Sequence, residues 1–139
     1  MLAVGLMKAG LYAEVHRDIA LVVAAAAPRP VKVILETALL TDSEKAAACI
    51  LAADAGAAFV KTCTGFSGGA ASAADVQLMV RAVEGYTWTG EGWSGKVRVK
   101  ASAGVRTFEA CAEMLRAGAD RIGTSSGAAI MAGAAGSGY

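Results

Sequence analysis

A short phrase that occurs twice constrains the fold of this chain more than any other feature. Residues 55–57 and 117–119 both read Ala-Gly-Ala, and each lies between a stretch with helical spacing and a short apolar stretch typical of a β-strand. In such a connection the glycine occupies the position that ends a helix. Strands and helices therefore alternate along the chain, which predicts βα repeats around a parallel sheet.

Apolar spacing, capping residues and chain-breaking residues locate the individual elements. Thr41 and Glu44 fit a capping box, Ser72 and Thr107 fit N-cap positions, and two prolines follow the first long helix. We predict helices over about 12–27, 41–56, 72–85 and 107–118, and strands over about 31–36, 58–63, 96–100 and 120–123, with a strand stub at 1–4.

Two architectures fit this alternation: a flavodoxin-like sandwich and a (β/α)₈ barrel. Glu36, Lys61 and Lys100 place charges on one face of consecutive strands, which favours the barrel because its interior collects side chains from every strand. A full barrel needs about 250 residues, whereas this chain has 139. We therefore expect an α/β fold, an incomplete TIM barrel, as one partial domain over residues 1–139.

Two segments are expected to lie outside the repeats. The segment 86–95 carries both tryptophans and exceeds the about two to six residues of an ordinary αβ connection, so it is interpreted as an inserted surface loop. The glycine-rich segment 134–139 is interpreted as a flexible tail.

Composition excludes several classes of function. The net charge of +1 indicates neither a nucleic-acid nor a membrane surface as partner. Three cysteines without a CxxC pair argue against a disulfide framework and a zinc site, and make a reducing cytoplasm the default location. No apolar run reaches the about 18 residues of a membrane helix. The hydrophobic fraction of 55% is high, so some apolar surface is expected to contact a partner.

Two lysines carry the expected chemistry. Lys61 ends an otherwise apolar strand, where lost solvation lowers the pKa of an amine and lets the neutral form attack a carbonyl to give a Schiff base. Lys100 ends the next predicted strand of the parallel sheet, about 5 Å away if the strands are neighbours in register. Two such close ammonium groups repel, so one should lose its proton near neutral pH. The alternatives are a snorkelling lysine at a strand end and two lysines that line a wet cavity.

Two loops are candidates for binding phosphate. Residues 103–107 and 123–126 each follow a predicted strand and lead into a helix, and they consist of small residues, hydroxyls and Arg106. Backbone N–H groups at such positions bind anions, and barrels often build a phosphate site from the loops after their last two strands. Ordinary helix capping by Thr107 and Thr124 is the alternative.

Four stretches resemble the deoxyribose-phosphate aldolases, a family of class I aldolases with a TIM-barrel fold. They are residues 31–37 (VKVILET), 59–65 (FVKTCTG), 99–107 (VKASAGVRT) and 122–126 (IGTSS). The four occur in the family's order, and the resemblance extends over about residues 1–133. It implies that the chain covers the barrel from about strand four or five to strand eight.

The resemblance also implies a function. It implies cleavage of 2-deoxy-D-ribose 5-phosphate to D-glyceraldehyde 3-phosphate and acetaldehyde in deoxyribonucleotide catabolism, without metal or organic cofactor. Lys61 matches the Schiff-base lysine, and Lys100 matches the second lysine that depresses its pKa. The partner is then a phosphosugar, with self-association into a homo-oligomer left open. The positions that match the family's phosphate-binding residues are Gly65, Gly104, Val105, Arg106, Gly123, Ser125 and Ser126.

Three residues depart from the family's pattern. Ala103 stands where a glycine is usual, so a Cβ is expected to crowd the phosphate loop. Arg98 replaces a small residue and would add a cation inside the barrel, with Glu36 as its expected partner. Cys63 replaces a common serine on the face of Lys61, where a thiol could trap an aldehyde, although such a residue more often packs.

The segment 6–10 resembles the residues after the family's fourth strand, which places the family's catalytic aspartate before Met1. Proton transfer would then depend on water or Glu36, and we expect weak or no aldolase activity unless a partner supplies the aspartate. The alternative function is a non-catalytic half-barrel that binds phosphate ligands or only self-associates.

Overall fold

A computed structural model describes residues 1–133 of the chain. Helices and strands alternate over most of this range, as the Ala-Gly-Ala repeats predict. In chain order the elements are α1 (Val4–Lys8), α2 (Tyr12–Ala26), β1 (Lys32–Ile34), a 3₁₀ turn (Thr37–Leu39), α3 (Asp42–Asp54), β2 (Phe59–Lys61), α4 (Ala73–Ala82), β3 (Thr87–Gly90), β4 (Trp93–Lys96), β5 (Arg98–Ser102), α5 (Phe108–Arg116), β6 (Arg121–Gly123) and α6 (Gly127–Met131).

Four of the strands form a parallel sheet in the order β1-β2-β5-β6. Val33, Val60 and Val99 are buried on one face, where α3, α4 and α5 pack against the strands. The other face carries Lys32, Lys61 and other side chains that are only half buried. Helices therefore cover one face of the sheet, and the cationic face is the one that faces the interior of a barrel.

Side-chain caps begin the three helices whose N-termini the sequence predicts most strongly. The Thr41 hydroxyl accepts the Glu44 N–H (3.3 Å) while the Glu44 carboxylate accepts the Thr41 N–H (2.7 Å), which completes a capping box. The Ser72 hydroxyl accepts from the Asp75 N–H, and the Thr107 hydroxyl from the Ala110 N–H, each at 3.1 Å.

The segment interpreted as an inserted surface loop forms a β-hairpin instead. β3 and β4 pair antiparallel, and the Trp88 side chain is buried. Alternating threonine and tryptophan residues suit a strand, and Gly92 supplies the positive φ of 88° in the turn. The tip of the hairpin contacts the connection between α2 and β1, which is distant in the sequence. The Glu91 N–H donates to the Pro28 carbonyl (3.3 Å), and Arg29 forms an ion pair with Glu91 (2.9 Å).

Two strand boundaries also differ from the prediction. No strand forms at residues 1–4, where the Leu2 N–H donates to the Ile34 carbonyl (2.8 Å) and α1 begins at Val4. The strand predicted at 96–100 runs from Arg98 to Ser102, because Lys96 belongs to the hairpin and its ammonium group pairs with Asp120 (2.8 Å).

The predicted flexible tail, 134–139, lies outside the described residues. Within residues 1–133 no helix combines the length and apolarity that crossing a bilayer requires.

Candidate active site

The sheet brings the two predicted lysines together on neighbouring strands; Lys61 ends β2 as predicted, whereas Lys100 is the middle residue of β5 and not its end. Lys61 on β2 lies opposite Lys100 on β5, and Lys100 lies opposite Arg121 on β6. This register is the one that the sequence predicts for the two lysines. Both line a cavity of about 310 Å³, here called the lysine cavity, together with Thr64, Ser102, Ile122, Gly123, Thr124 and Ser125.

Burial, together with the charges of neighbouring cations, lowers the pKa of two amines on this face. Burial lowers the pKa of Lys100 below its usual range, and the charges of Lys61 and then Arg121 lower it further. Burial also lowers the pKa of Lys32, with smaller contributions from Lys100, Arg121 and Lys61. The expected repulsion between the two lysines therefore contributes to the lowered pKa of Lys100.

The same face carries a second group of cations around one aromatic ring. The guanidinium of Arg121, the ammonium of Lys32 and the guanidinium of Arg98 lie 4.9, 5.1 and 5.9 Å from the centroid of the Phe59 ring. Phe59 is buried under these cations, a geometry that favours cation–π attraction. Sequence reasoning did not select Lys32 or Arg121, although the period of two places Lys32 on the face that the sheet aligns with Lys61.

Arg98 and Glu36 are not partners, contrary to the expectation from the sequence. Arg98 lies at the start of β5, over Phe59, whereas Glu36 lies beyond the opposite end of β1. The Glu36 carboxylate instead accepts hydrogen bonds from Thr64. Cys63 is fully buried, with its sulfur 3.3 Å from the Thr37 hydroxyl, so it packs beneath the site.

A glycine makes room for the Lys100 side chain. A Cβ added to Gly123 would collide with Lys100 Cε and Ser102 Oγ. The Ser102 hydroxyl donates to the Gly123 carbonyl (3.1 Å), so the strands β5 and β6 are also tied together at this point. Gly123 therefore shapes the lysine cavity by leaving the space that the Lys100 side chain occupies.

Threonine hydroxyls fix the loops around the cavity. The Thr62 hydroxyl donates to the Ser102 carbonyl (2.8 Å) and accepts from the Ser102 N–H (3.0 Å). The Thr124 hydroxyl donates to the Val105 carbonyl (2.6 Å) and accepts from the Ser126 N–H (2.9 Å). These bonds join consecutive loops, which is a role that sequence reasoning did not assign to Thr62 and gave to Thr124 only as a helix cap.

The predicted phosphate-binding residues divide between two cavities. Gly123 and Ser125 line the lysine cavity. A second cavity of about 200 Å³, here called the loop cavity, is lined by Gly65, Gly68, Gly69, Ala70, Ala103, Gly104 and Arg106. The side chains of Val105 and Ser126 are buried and line neither cavity. Thr64 and Gly65 are consecutive, so the two cavities meet at one turn of the chain.

Ala103 carries backbone strain in the loop cavity. Its φ of 81° lies in the left-handed region that a residue with a Cβ rarely adopts. The Ala103 carbonyl accepts the Ala71 N–H (3.0 Å), which holds the two loops of the cavity together. The backbone at this position therefore suits glycine, and the crowding of the phosphate loop by the Ala103 Cβ stays a prediction.

Curated proteins that match the chain identify its relatives, although no protein-family model matches it. The deoxyribose-phosphate aldolase of Carboxydothermus hydrogenoformans is 52% identical over 134 residues, which are 94% of this chain and 54% of the relative. The deoxyribose-phosphate aldolase of Enterococcus faecalis is 50% identical over 137 residues, 98% of this chain and 58% of the relative. This chain is homologous to the C-terminal half of the deoxyribose-phosphate aldolases. It spans about half the length of the curated relatives it matches.

Solved structures of aldolases match the fold as well. A crystal structure assigned to a deoxyribose-phosphate aldolase from Coccidioides immitis gives a TM-score of 0.84 at 41% identity, covering 94% of this chain and 49% of that chain. The tetrameric deoxyribose phosphate aldolase from Aeropyrum pernix gives 0.73 at 30% identity, covering 85% and 47%. The parallel βα repeats are therefore part of a TIM barrel of the deoxyribose-phosphate aldolase type, as predicted.

Proposed function

We propose that this chain carries the Schiff-base lysine and the phosphate loops of a deoxyribose-phosphate aldolase. The reaction is cleavage of 2-deoxy-D-ribose 5-phosphate to D-glyceraldehyde 3-phosphate and acetaldehyde. The observation that carries the proposal is the pairing of Lys61 with Lys100 in one cavity that also contains Gly123 and Ser125. An amine beside a second cation and a small-residue loop suits attack on the aldehyde of a phosphate ester.

Lys61 is assigned as the nucleophile of this reaction. Its amine attacks C1 of the open-chain aldehyde, and loss of water gives an iminium. The bond between C2 and C3 then breaks, with its electron pair drawn into the iminium to form an enamine and the C3 hydroxyl giving up its proton. Protonation of the enamine at C2 and hydrolysis release acetaldehyde and return the amine.

Lys100 is assigned as the electrostatic activator. Lys100 lies opposite the reacting amine in the sheet, and a neighbouring cationic group is one of the surroundings that activate a lysine nucleophile. Glu36 does not serve as the general base in this assignment, because its carboxylate accepts hydrogen bonds from Thr64. The proton of the C3 hydroxyl is therefore assigned to water in the cavity.

The phosphate is assigned to the region where the two cavities meet. Backbone N–H groups of Gly65, Gly104 and Gly123, with the Ser125 loop and the Arg106 guanidinium, provide donors of the kind that bind phosphate. Val105 and Ser126 are assigned backbone roles, because their side chains are buried. Hydrogen bonds between the loops keep these groups in place without substrate.

Retro-aldol turnover tests the proposal. The chain is incubated with 2-deoxy-D-ribose 5-phosphate, and D-glyceraldehyde 3-phosphate is measured with a coupled dehydrogenase. Activity that Lys61→Ala abolishes supports the aldolase, and Lys8→Ala, a change to an exposed lysine that does not line the cavity, serves as the matched control. The alternative is a non-catalytic half-barrel that binds phosphate esters at the same loops; binding without turnover or covalent adduct would favour it.

The proposal also includes the cellular location and the oligomeric state of the protein. We propose a cytoplasmic location, supported by three free cysteines. We also propose that the chain forms a homo-oligomer, since the Aeropyrum pernix relative is described as tetrameric and several large apolar side chains of this chain are exposed, including Leu21 and Val22. Sedimentation velocity over a range of concentrations distinguishes an oligomer from a monomer.

A further inference from the structure

Glu36 is a buried carboxylate with a distinctive set of partners. Its side chain has no exposed surface, and its backbone lies in the left-handed region at φ 58°. Both carboxylate oxygens lie 3.2 Å from the Thr64 nitrogen, whose N–H donates to them, and the Thr64 hydroxyl donates to Oε2 at 2.6 Å. The Glu36 N–H donates to the Thr62 carbonyl (2.8 Å), so the residue is anchored to the chain just before Thr64.

Neither the burial nor the backbone conformation is explained by core packing. A buried carboxylate needs several donors to offset its lost hydration, and a left-handed residue with a side chain costs energy that the surroundings must supply. Both features belong to a residue that is hydrogen-bonded to Thr64, at the turn where the lysine cavity meets the loop cavity. Strained and buried polar residues at such a place point to a role in shaping the site.

Glu36 acts on the site through Thr64. Among the described residues, those that line the lysine cavity include Thr64 but not Glu36. The Thr64 hydroxyl donates to Glu36 and also accepts the Phe66 N–H (3.2 Å), so the carboxylate is linked through one hydroxyl to the following turn. Gly65, which lies between these two residues, lines the loop cavity.

We propose that Glu36 is a positioning residue that fixes the turn 64–66 for binding the substrate phosphate. The proposal rests on the proposed function, because it names the residue that sets the phosphate side of that site. With the Thr64 N–H and hydroxyl both held by Glu36, the turn has one conformation before substrate arrives, and the ordering cost of binding is lower. Glu36 makes no contact with the reacting amine in this role.

Two probes separate the phosphate loop from the lysine chemistry. Glycerol 3-phosphate carries a phosphate ester and no carbonyl, so its affinity, measured by calorimetry, reports on the loops. Acetaldehyde carries a carbonyl and no phosphate, so its adduct on Lys61, trapped with borohydride, reports on the amine. The variant is Glu36→Gln, and the matched control is Glu44→Gln, the same chemical change in an exposed capping box that a glutamine also completes.

We expect Glu36→Gln to weaken glycerol 3-phosphate binding by about tenfold or more, the usual effect of losing hydrogen bonds to a charged group. We expect its acetaldehyde adduct to form at the rate of the wild type, and Glu44→Gln to match the wild type with both probes. If Glu36→Gln does not fold, Thr64→Val is expected to reproduce the weaker phosphate binding, and Thr64→Ser, which keeps the hydroxyl, to bind like the wild type.

Several results would overturn the inference. Unchanged or tighter phosphate binding in Glu36→Gln would mean that the carboxylate does not position the loop, and equal losses with both probes would indicate a general structural role. A wild type that fails to bind glycerol 3-phosphate would also contradict it. A wild type that binds glycerol 3-phosphate in a Glu36-dependent way but forms no Lys61 adduct would instead refute the aldolase proposal and leave the positioning role in place.

Discussion

Lys61 and Lys100 lie opposite each other on two neighbouring parallel strands, and both side chains line one cavity. Such an arrangement opposes folding, because holding two like charges close together in the folded chain is energetically unfavourable. Arg121 on the next strand adds to this cost at Lys100. A group of like charges that destabilises its own fold is typical of a functional site, where stability is lost in exchange for reactivity.

The first prediction concerns the stability cost of Lys100. Because its pKa is lower in the folded chain than in the unfolded chain, the unfolded chain binds more protons between the lowered value and the ordinary 10.5. The free energy of unfolding therefore rises with pH through that window, and the cost is fully present below it. Lys100→Met should stabilise the chain at neutral pH by up to about 1 kcal/mol, after allowance for solvent screening.

Urea unfolding at neutral pH and near pH 10 measures this effect. The gain from Lys100→Met should shrink at the higher pH, where a larger fraction of the wild-type Lys100 amine is neutral. Lys8→Met is the control, since its exposed pair with Glu44 contributes little. A Lys100→Met chain that is less stable than the wild type at neutral pH would show that the repulsion is not the dominant effect.

The same substitution should impair the chemistry. Lys100→Met removes the cationic group that lies opposite Lys61 in the sheet, so this variant is expected to form the Schiff base about tenfold more slowly at neutral pH. The rate of Schiff-base formation is measured by borohydride trapping at timed intervals and at several pH values. A rate equal to that of the wild type at every pH would show that Lys100 is not the electrostatic activator.

Gly123 is predicted to be sensitive to a single methyl group. Gly123→Ala places a Cβ against Lys100 Cε and Ser102 Oγ, so it should displace the Lys100 side chain and destabilise the chain by about 1–3 kcal/mol. Gly127→Ala is the matched control, because its Cβ meets only a distant methyl group and alanine favours a helix. Thermal unfolding of the two variants checks the prediction, which fails if both behave alike.

Ala103→Gly is predicted to stabilise the chain. The φ of 81° suits glycine, so removing the Cβ relieves strain of about 1 kcal/mol. Ala101→Gly, in the ordinary strand conformation two residues earlier, should instead destabilise the chain by a similar amount. Chemical unfolding of both variants gives the comparison; a loss of stability in Ala103→Gly would mean that the strain is outweighed by lost packing.

Sequence reasoning worked where structure depends on neighbouring residues and on a fixed period. The capping box of Thr41 and Glu44 is local, and it forms as predicted. The alternation of side chains along a strand placed Lys61 and Lys100 on one face, and parallel strands brought them into register. Such features follow from the sequence because each depends on only a few residues or on one geometric rule.

The features that the sequence did not predict depend on contacts between residues that are distant in the chain. The hairpin at residues 87–96 is stabilised by Pro28 and Arg29, far away in the chain, so its composition alone suggested a loop. Glu36 was expected to meet Arg98, but its left-handed backbone and buried side chain face Thr64 instead. Which of several possible polar partners a buried group takes is decided by the packed structure.

Borohydride trapping with 2-deoxy-D-ribose 5-phosphate, followed by intact mass and peptide mapping, tests the central assignment most directly. The folded wild-type chain should gain one covalent adduct, located on Lys61, and Lys61→Ala should gain none. An adduct on Lys100, or no adduct on a folded wild-type chain that binds the phosphate ester, would contradict the assignment of Lys61 as the nucleophile.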